Sequence, residues 1–253
     1  MNYAPIVEIQ EPELFYPESD GKPMSDNTRQ YRWIVTIKEN LEIWLAGNLD
    51  VFIAGDLMWY PVEGNPQICQ APDVMVVFGR PRGDRGSYQQ WKEKGIGPQV
   101  AFEILSPSNT KREMAEKREF YQKYGVEEYY IYDPDRFRLT GWIRSEDQLI
   151  AIANMEGWVS PLLGIRFTQV NGDLEIYRLD NRRFLSSVEL DRVAEVERKR
   201  ADLEELRANQ EQQRADQEQQ RADQALQEVT LERDRSNRMA EYLRSIGVDP
   251  TQI

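Results

Sequence analysis

The sequence predicts a protein of the α/β (α+β) class that is followed by a long C-terminal helix. Residues 98–133 have the pattern of a strand, a helix and a second strand. Further short apolar runs, separated by glycine, proline and asparagine turns, surround them. From Leu185 to Ile246 the chain has neither glycine nor proline. We therefore expect a globular domain over residues 1–184 and a helical, coiled-coil tail over residues 185–253.

The first predicted element is an amphipathic helix near the N-terminus. Ser25, Asp26 and Asn27 can cap it, and Gly47 follows its predicted last residue, which is about Ala46. Its apolar residues recur at helical spacing, so this helix is expected to pack against the core.

Short strand-like runs at residues 51–54 and 57–60 come next, followed by the apolar, β-branched run 71–79. Pro72 suits the start of a strand, because proline cannot donate a ladder hydrogen bond. Asp73 is therefore expected at the mouth of a buried strand. An aspartate at such a position is often only a turn residue, and that alternative stays open.

Residues 80–97 form a glycine-rich loop between this strand and the next. From Arg80 to Lys94 the loop holds five basic and two acidic residues, with Tyr88 and Trp91 among them. Such a mixture can contact the phosphates and bases of a nucleic acid. The alternative is a solvated loop with a helical turn near residues 88–94.

A second buried strand is predicted at about residues 99–106. Its two faces are apolar apart from Glu103, so the strand is expected to be covered on both sides. A buried, unpaired carboxylate costs several kcal/mol. Glu103 therefore needs a lysine, an arginine or a metal ion beside it.

The helix that follows can supply this partner. Ser108 or Asn109 can cap it, and Gly125 ends it. Lys117 shares its apolar face with Met114 and Tyr121, so the ammonium can reach toward Glu103. The residues fit a structural Glu–Lys pair as well as a catalytic one.

The remaining predicted strands lie at residues 129–132, 139–143, 149–153, 164–167 and 174–177. Beyond Phe184 the composition favours helix, and two seven-residue repeats occupy residues 212–225. Its apolar stripes are interrupted in the middle, which favours a weak coiled coil or a solvated helix. We interpret the tail as an element for homo-oligomerisation or docking; the alternative is a partly frayed tail.

The composition excludes several kinds of site. The 253 residues include no histidine, which excludes catalytic triads that use histidine. The single cysteine, Cys69, excludes disulfides within the chain and thiolate zinc clusters. No run of about eighteen apolar residues and no signal-peptide pattern occurs, so we expect a cytoplasmic protein without a membrane partner. The net charge of −12 requires any nucleic-acid contact to use a local patch.

Asp73, Glu103 and Lys117 together suggest phosphodiester hydrolysis that needs no histidine. Two carboxylates on adjacent strands can hold Mg²⁺ or Mn²⁺ and leave coordination sites for water and phosphate. A lysine beside them can orient or deprotonate the attacking water and stabilise developing charge.

The motifs resemble those of a restriction-endonuclease-like family that is abundant in cyanobacteria and belongs to the PD-(D/E)XK nuclease superfamily. The likeness spans about residues 15–180 and includes the style of the tail, with its Gly247–Pro250 ending. The matching residues are Pro72-Asp73, Phe102-Glu103-Ile104-Leu105-Ser106-Pro107-Ser108, Lys117-x-x-x-Tyr121 and Gly125-Val126-x-Glu128-Tyr129. The resemblance implies a mixed β-sheet core flanked by helices, with Asp73 and Glu103 at its centre as metal ligands.

The chain departs from the superfamily pattern at two places. The E-x-K motif would put a lysine at position 105, which is Leu105 here. Some relatives carry this lysine on the following helix, and Lys117 fits such a shift, with Lys111 as the alternative. Many relatives also have an acidic residue in the N-terminal segment, which corresponds to Glu18 or Asp20.

The leading hypothesis is a Mg²⁺-dependent DNA endonuclease, a hydrolase in which Asp73 and Glu103 bind the metal and Lys117 assists the water. The 80–94 loop is expected to touch the DNA backbone. The rival hypothesis is a catalytically inactive nuclease core that assembles through its helical tail.

Overall fold

The computed structural model describes residues 14–19, 21, 23–170 and 172–247. In the first part of the described chain each of two α-helices is followed by five strands, and one long helix forms the second part. The helices are α1 (Thr28–Trp44), α2 (Lys111–Lys123) and α3 (Ser187–Ser245), and the strands are β1 (Val51–Gly55), β2 (Trp59–Tyr60), β3 (Val74–Phe78), β4 (Tyr88–Gln89), β5 (Val100–Ile104), β6 (Glu128–Asp133), β7 (Arg138–Ser145), β8 (Gln148–Ala151), β9 (Ile165–Val170) and β10 (Asp173–Arg178).

Six strands form the central mixed sheet in the order β1-β3-β5-β6-β7-β8. Strands β5 and β6 are parallel, and every other neighbouring pair in this sheet is antiparallel. A parallel pair needs a crossover connection, which α2 provides. Strands β9 and β10 form an antiparallel pair, and β2 and β4 a short parallel pair. The predicted α/β class with a mixed sheet and flanking helices is confirmed.

The sheet has two buried faces, because successive side chains of a strand point to opposite sides. On one face Phe102 and Ile104 of β5 belong to the same apolar cluster as Ile37 of α1. On the other face Ala101 belongs to a cluster with Met114 and Tyr121 of α2. The sheet therefore lies between α1 and α2, and Glu103 points toward α2 with Ala101.

Helix α2 begins one residue later than a cap at Asn109 predicts and two residues later than a cap at Ser108 predicts. Its N-cap is Thr110, whose side chain accepts a hydrogen bond from the Glu113 N–H, while the Glu113 carboxylate accepts one from the Thr110 N–H. Ser108 and Asn109 were predicted as caps, but Asn109 instead accepts from the Ser106 N–H and Ser108 donates to Asp26. The reciprocal capping box uses two N–H groups at once, which favours Thr110.

Other boundaries differ from the predictions by a few residues. Helix α1 has Asn27 as its N-cap, as one of the three predicted alternatives, and ends at Trp44 rather than Ala46. The expected helical turn near residues 88–94 is the short strand β4 followed by a 3₁₀ turn over Gln90–Glu93. Lys94 has φ +59°, a left-handed conformation that ends the turn.

Helix α3 accounts for the tail. Within it no residue is buried, and the chain divides into two compact units between Glu189 and Leu190. The predicted domain boundary after residue 184 stays a prediction. Residues 248–250 of the family-like ending lie outside the described residues. In the described ranges, no helix combines the length and apolarity that a bilayer crossing requires.

Candidate active site

Asp73 lies directly before β3, near the centre of the six-stranded sheet. Val74 pairs with Phe102 in an antiparallel register, so the ladder brings Asp73 to the end of β5. Its Oδ2 atom accepts a hydrogen bond of 2.6 Å from the Ile104 N–H, and the residue is 8 % exposed. Asp73 is therefore a fixed, buried carboxylate at the bend before β3, and its role as a metal ligand stays a prediction.

Glu103 lies on β5 and is 2 % exposed. Its Oε2 atom accepts a hydrogen bond of 2.8 Å from Lys117 Nζ, and its Oε1 atom accepts one of 2.5 Å from the Tyr121 hydroxyl. Lys117 and Tyr121 are four residues apart, so they share one face of α2. The structure brings Glu103 and Lys117 together as the sequence predicted, whereas the role of the Tyr121 hydroxyl was missed.

The pKa of Asp73 lies well above its ordinary value. Burial is the main cause, because it disfavours the charged carboxylate, and the negative charge of Glu103 acts in the same direction. Lys117 and the Ile104 N–H oppose this rise without cancelling it. Two buried carboxylates thus share the positive charge of Lys117, and the pair is short of compensating charge.

Lys117 stays protonated at neutral pH. Burial by itself lowers its pKa, but the charge of Glu103, its hydrogen bond and the charge of Asp73 together raise the pKa above the ordinary lysine value. A lysine in this state donates hydrogen bonds and neutralises negative charge. It does not accept a proton, so the sequence-based option of a deprotonating lysine loses support.

A cleft of about 490 Å³ gives access to Asp73 and Lys117, whereas Glu103 is not part of its lining. Asp73 and Lys117 line it, and α1, α2 and the ends of β1 and β3 form its walls. Four more acidic residues lie along the lining, which makes the cleft strongly acidic. These residues are Asp26, Asp56, Glu113 and Glu116.

A hydrogen-bond chain ties the start of α1 to the site. The buried Gln30 accepts from the Asp26 N–H at 2.8 Å and donates its Nε2–H to the Ile104 carbonyl at 2.9 Å. Asp26 also accepts from the hydroxyls of Ser106 and Ser108. No local sequence pattern predicts these contacts, because the two segments are far apart along the chain.

Neither of the expected N-terminal acids can be assigned to the site. Glu18 packs against Gly86, where a Cβ atom would clash with its carboxylate, and it does not line the cleft. Asp20 lies outside the described residues. Lys111, the alternative lysine, is exposed at the start of α2.

The donor set fits a hard divalent cation. Across the described ranges, no three or more His, Cys, Asp or Glu side chains are grouped to hold a metal ion. Mg²⁺, however, commonly binds through one or two carboxylates together with waters and substrate phosphates. Asp73 and Glu103 are two carboxylates of this kind, and together they are short of compensating positive charge.

The basic loop is more internally paired than the sequence suggested. Glu93 accepts hydrogen bonds from Arg80 at 2.6 Å and from Arg85 at 2.7 Å, while Arg82 donates to the Leu45 carbonyl. The Arg85 guanidinium also stacks 3.9 Å from the centroid of a phenylalanine ring on β1. Lys92 and Lys94 stay exposed. Contact of this loop with DNA stays a prediction.

Comparisons with known proteins identify a matching family and similar solved structures. Residues 20–187, more than half of the chain, match the Uma2 family, described as "Putative restriction endonuclease". The crystal structure of "a putative nuclease belonging to DUF820 from Anabaena variabilis ATCC 29413" is similar at 14 % identity and a TM-score of 0.42, covering 55 % of this chain and 74 % of that chain. None of the curated proteins compared with the chain matches it. The chain belongs to the Uma2 family of restriction-endonuclease-like proteins.

Proposed function

We infer that this protein is a metal-dependent endonuclease that hydrolyses DNA phosphodiester bonds. Asp73 and Glu103 are the proposed ligands of Mg²⁺ or Mn²⁺, and Lys117 is the proposed partner of the attacking water. The observation that carries this proposal is one constellation: the buried carboxylates of Asp73 and Glu103 lie near the Lys117 ammonium, and Asp73 and Lys117 line a cleft. Membership of the Uma2 family supports the nuclease class.

The residues around the two acids are arranged to hold them still. The Ile104 N–H fixes one oxygen of Asp73, and Tyr121 and Lys117 fix the two oxygens of Glu103. Carboxylate side chains that are already oriented lose little conformational freedom when a metal ion binds to them. A divalent cation bound here would neutralise phosphate charge and lower the pKa of a water molecule.

Lys117 serves as a hydrogen-bond donor in this proposal. Its ammonium can orient a water molecule and stabilise negative charge on the phosphoryl oxygens. The ammonium is 2.8 Å from Glu103 and largely shielded from solvent, and such shielding strengthens its electrostatic effect.

The acidic lining of the cleft makes a cation requirement physically reasonable. Asp26, Asp56, Glu113 and Glu116 add negative charge near Asp73, so an approaching phosphate backbone meets repulsion. Divalent cations would screen this repulsion. DNA binding should therefore depend on the same ions as cleavage.

A non-catalytic assembly protein is the second candidate function, and one contact favours it. Lys117 already donates a hydrogen bond to Oε2 of Glu103. That oxygen is one of the two through which Glu103 would bind a metal ion. An inactivated core could keep this ion pair as a purely structural feature and use α3 for assembly.

Titration calorimetry with Mn²⁺ separates the two functions. The wild-type protein is compared with the nearly isosteric double variant Asp73→Asn, Glu103→Gln. The control is Glu128→Gln, which alters a carboxylate buried on the opposite face of the sheet, where it binds Tyr130, Ser160 and the Leu162 N–H.

The endonuclease proposal expects Mn²⁺ binding to wild type and to the control, and its loss in the double variant. Nicking of supercoiled plasmid should follow the same pattern and stop with EDTA. Equal Mn²⁺ affinity in all three proteins would refute the metal site, and absence of binding together with absence of nicking would support the assembly function.

A further inference from the structure

Helix α3 has a heptad pattern with a polar centre. Its contact positions a and d contain three apolar residues and one lysine near the N-terminal end, six glutamines in the middle and one leucine at the C-terminal end. Position a contains Val196, Leu203, Gln210, Gln217, Gln224 and Leu231, and position d contains Lys199, Leu206, Gln213, Gln220 and Gln227. All of these side chains are exposed. A seven-residue spacing places them along one stripe of the helix.

The positions beside this stripe have opposite charges on its two sides. Position e is arginine in four successive heptads, at Arg200, Arg207, Arg214 and Arg221. Position g is acidic or amide, at Glu195, Asp202, Asn209, Asp216 and Asp223. These positions set the partner and the orientation of a coiled coil.

In a parallel, in-register pair, each g residue meets the e residue that lies five positions later on the other helix. Three such pairs combine opposite charges: Glu195 with Arg200, Asp202 with Arg207, and Asp216 with Arg221. The pair of Asn209 with Arg214 contains one charge only and is neither attractive nor repulsive by charge. The pair of Asp223 with Glu228 is the one like-charged pair among the five. An antiparallel pair would instead place arginine against arginine and acid against acid. The charges therefore favour the parallel arrangement.

A second stripe on α3 does not suit a second copy of this chain. It contains alanines at seven-residue spacing from Ala194 to Ala222, followed by Val229. Together with the mostly polar position c beside it, this stripe is bounded by Glu197, Glu204, Glu211 and Glu218 on one side and by the mostly acidic g residues on the other. Two copies joined by this stripe would repel each other, whereas a basic helix would fit it.

We propose that residues 195–231 of α3 form a parallel, in-register coiled coil with a second copy of this chain, joined by the stripe of positions a and d. Arg207, Arg214 and Arg221 have no hydrogen-bond or ion-pair partner elsewhere in the described part of the chain, so they are available for the second helix. The glutamine layers weaken the pair but can hydrogen-bond across it, and buried amides of this kind select register. The dimer is therefore concentration-dependent.

Charge reversal tests the predicted pairing of Asp216 with Arg221. The full-length chain is measured by light scattering over a concentration series. Asp216→Arg alone and Arg221→Asp alone each convert two attractive pairs per dimer into repulsive ones, so each should raise the dimer dissociation constant roughly tenfold. The double variant Asp216→Arg, Arg221→Asp should restore it, and Glu218→Arg, at an outer position, should have little effect.

Cysteine cross-linking tests the register directly. In a Cys69→Ser background, Gln217→Cys places one thiol at position a of each helix, and Glu218→Cys is the matched control at an outer position. Mild oxidation should give a covalent dimer with Gln217→Cys only. A wild-type chain that stays monomeric at every concentration, or equal cross-linking at both positions, would overturn the proposal; a monomer would leave the alanine stripe for a basic partner.

Discussion

Lys117 balances two buried carboxylates, and this contact decides the first prediction. Lys117→Met keeps much of the aliphatic stem but leaves Glu103 and Asp73 without the ammonium. Removing one partner of a buried ion pair costs about 3–5 kcal/mol, because the other charge stays buried. We expect a loss of about 3 kcal/mol in the free energy of unfolding, measured by urea denaturation in EDTA.

The matched control is Lys111→Met, at an exposed lysine on the same helix. It should change stability by less than about 0.5 kcal/mol and should keep any nuclease activity, which Lys117→Met should lose. Activity that survives in Lys117→Met and disappears in Lys111→Met would transfer the lysine role to Lys111.

Tyr121 orients the second oxygen of Glu103. Its buried hydroxyl donates to Glu103 Oε1 at 2.5 Å, so Tyr121→Phe leaves a buried carboxylate oxygen without a donor. We expect a cost of about 1–3 kcal/mol in unfolding free energy and a weaker Mn²⁺ affinity in calorimetry, since Glu103 is less firmly oriented. The control Tyr124→Phe removes a half-buried hydroxyl that makes no hydrogen bond within the described part of the chain. Equal effects of both substitutions would contradict the positioning role.

The site could be predicted in part because some of its contacts are local. Glu103 and Lys117 belong to one strand–helix unit, so periodicity alone placed them on facing surfaces. Gln30 of α1 contacts Ile104 of β5, and Asp26, just before α1, contacts Ser106, just after β5, in both cases from more than seventy residues away in sequence. Neither helical spacing nor a capping motif records which strand a helix packs on, so this contact was not predictable.

The loop over residues 80–97 is held together by Glu93, which pairs with Arg80 and Arg85. The pKa of Glu93 is lowered, chiefly by its hydrogen bond with Arg85; burial opposes the shift, and Arg80 adds to it. A carboxylate with a lowered folded-state pKa stabilises the protein above its ordinary pKa, and this contribution is lost as the pH falls through the lowered value.

Glu93→Gln should therefore cost about 1–3 kcal/mol in unfolding free energy at pH 7. The difference from wild type should shrink below the ordinary pKa of 4.5, where the unfolded chain is protonated. Urea denaturation over a pH series measures this, with the exposed Asp84→Asn in the same loop as control. A difference that stays constant with pH would show that the two arginine contacts do not cause the stabilisation.

The same loop shows what a charge count leaves out. Five basic residues predicted a phosphate-binding surface, but a count does not record partners. Arg80 and Arg85 converge on Glu93, and Arg82 binds a backbone carbonyl. The sequence predicts the net charge of the loop correctly. Whether its arginines are available to bind phosphate depends on the partners that they find within the folded chain.

Most strand positions followed from the apolar pattern, with β4 as an exception, whereas the order of the strands in the sheet did not. The order β1-β3-β5-β6-β7-β8 omits β2 and β4, which pair with each other away from the main sheet. Pairing between strands that are distant in sequence depends on the packing of both sheet faces, which local periodicity does not encode. The tail was simpler to predict, because an uninterrupted helix needs only local propensity.

Residues just beyond 184 make contacts with the globular domain. The buried Asn40 donates to the Leu185 carbonyl at 2.7 Å and accepts from the Leu185 N–H at 3.1 Å. Glu189 accepts from the Ser186 N–H at 2.8 Å and from Arg183 at 2.7 Å. A chain cut after residue 184 loses all of these contacts, and a chain cut after residue 189 keeps them.

The chain that ends at residue 189 is therefore expected to melt at the temperature of the full-length chain, at one low concentration where any dimer has dissociated. The chain that ends at residue 184 leaves the Asn40 amide short of partners, which should cost about 1–3 kcal/mol and lower the melting temperature by about 5 °C. Differential scanning calorimetry of the three chains measures both effects. Equal melting of all three would place the boundary at residue 184, and equal loss in both truncated chains would mean that α3 stabilises the domain beyond residue 189.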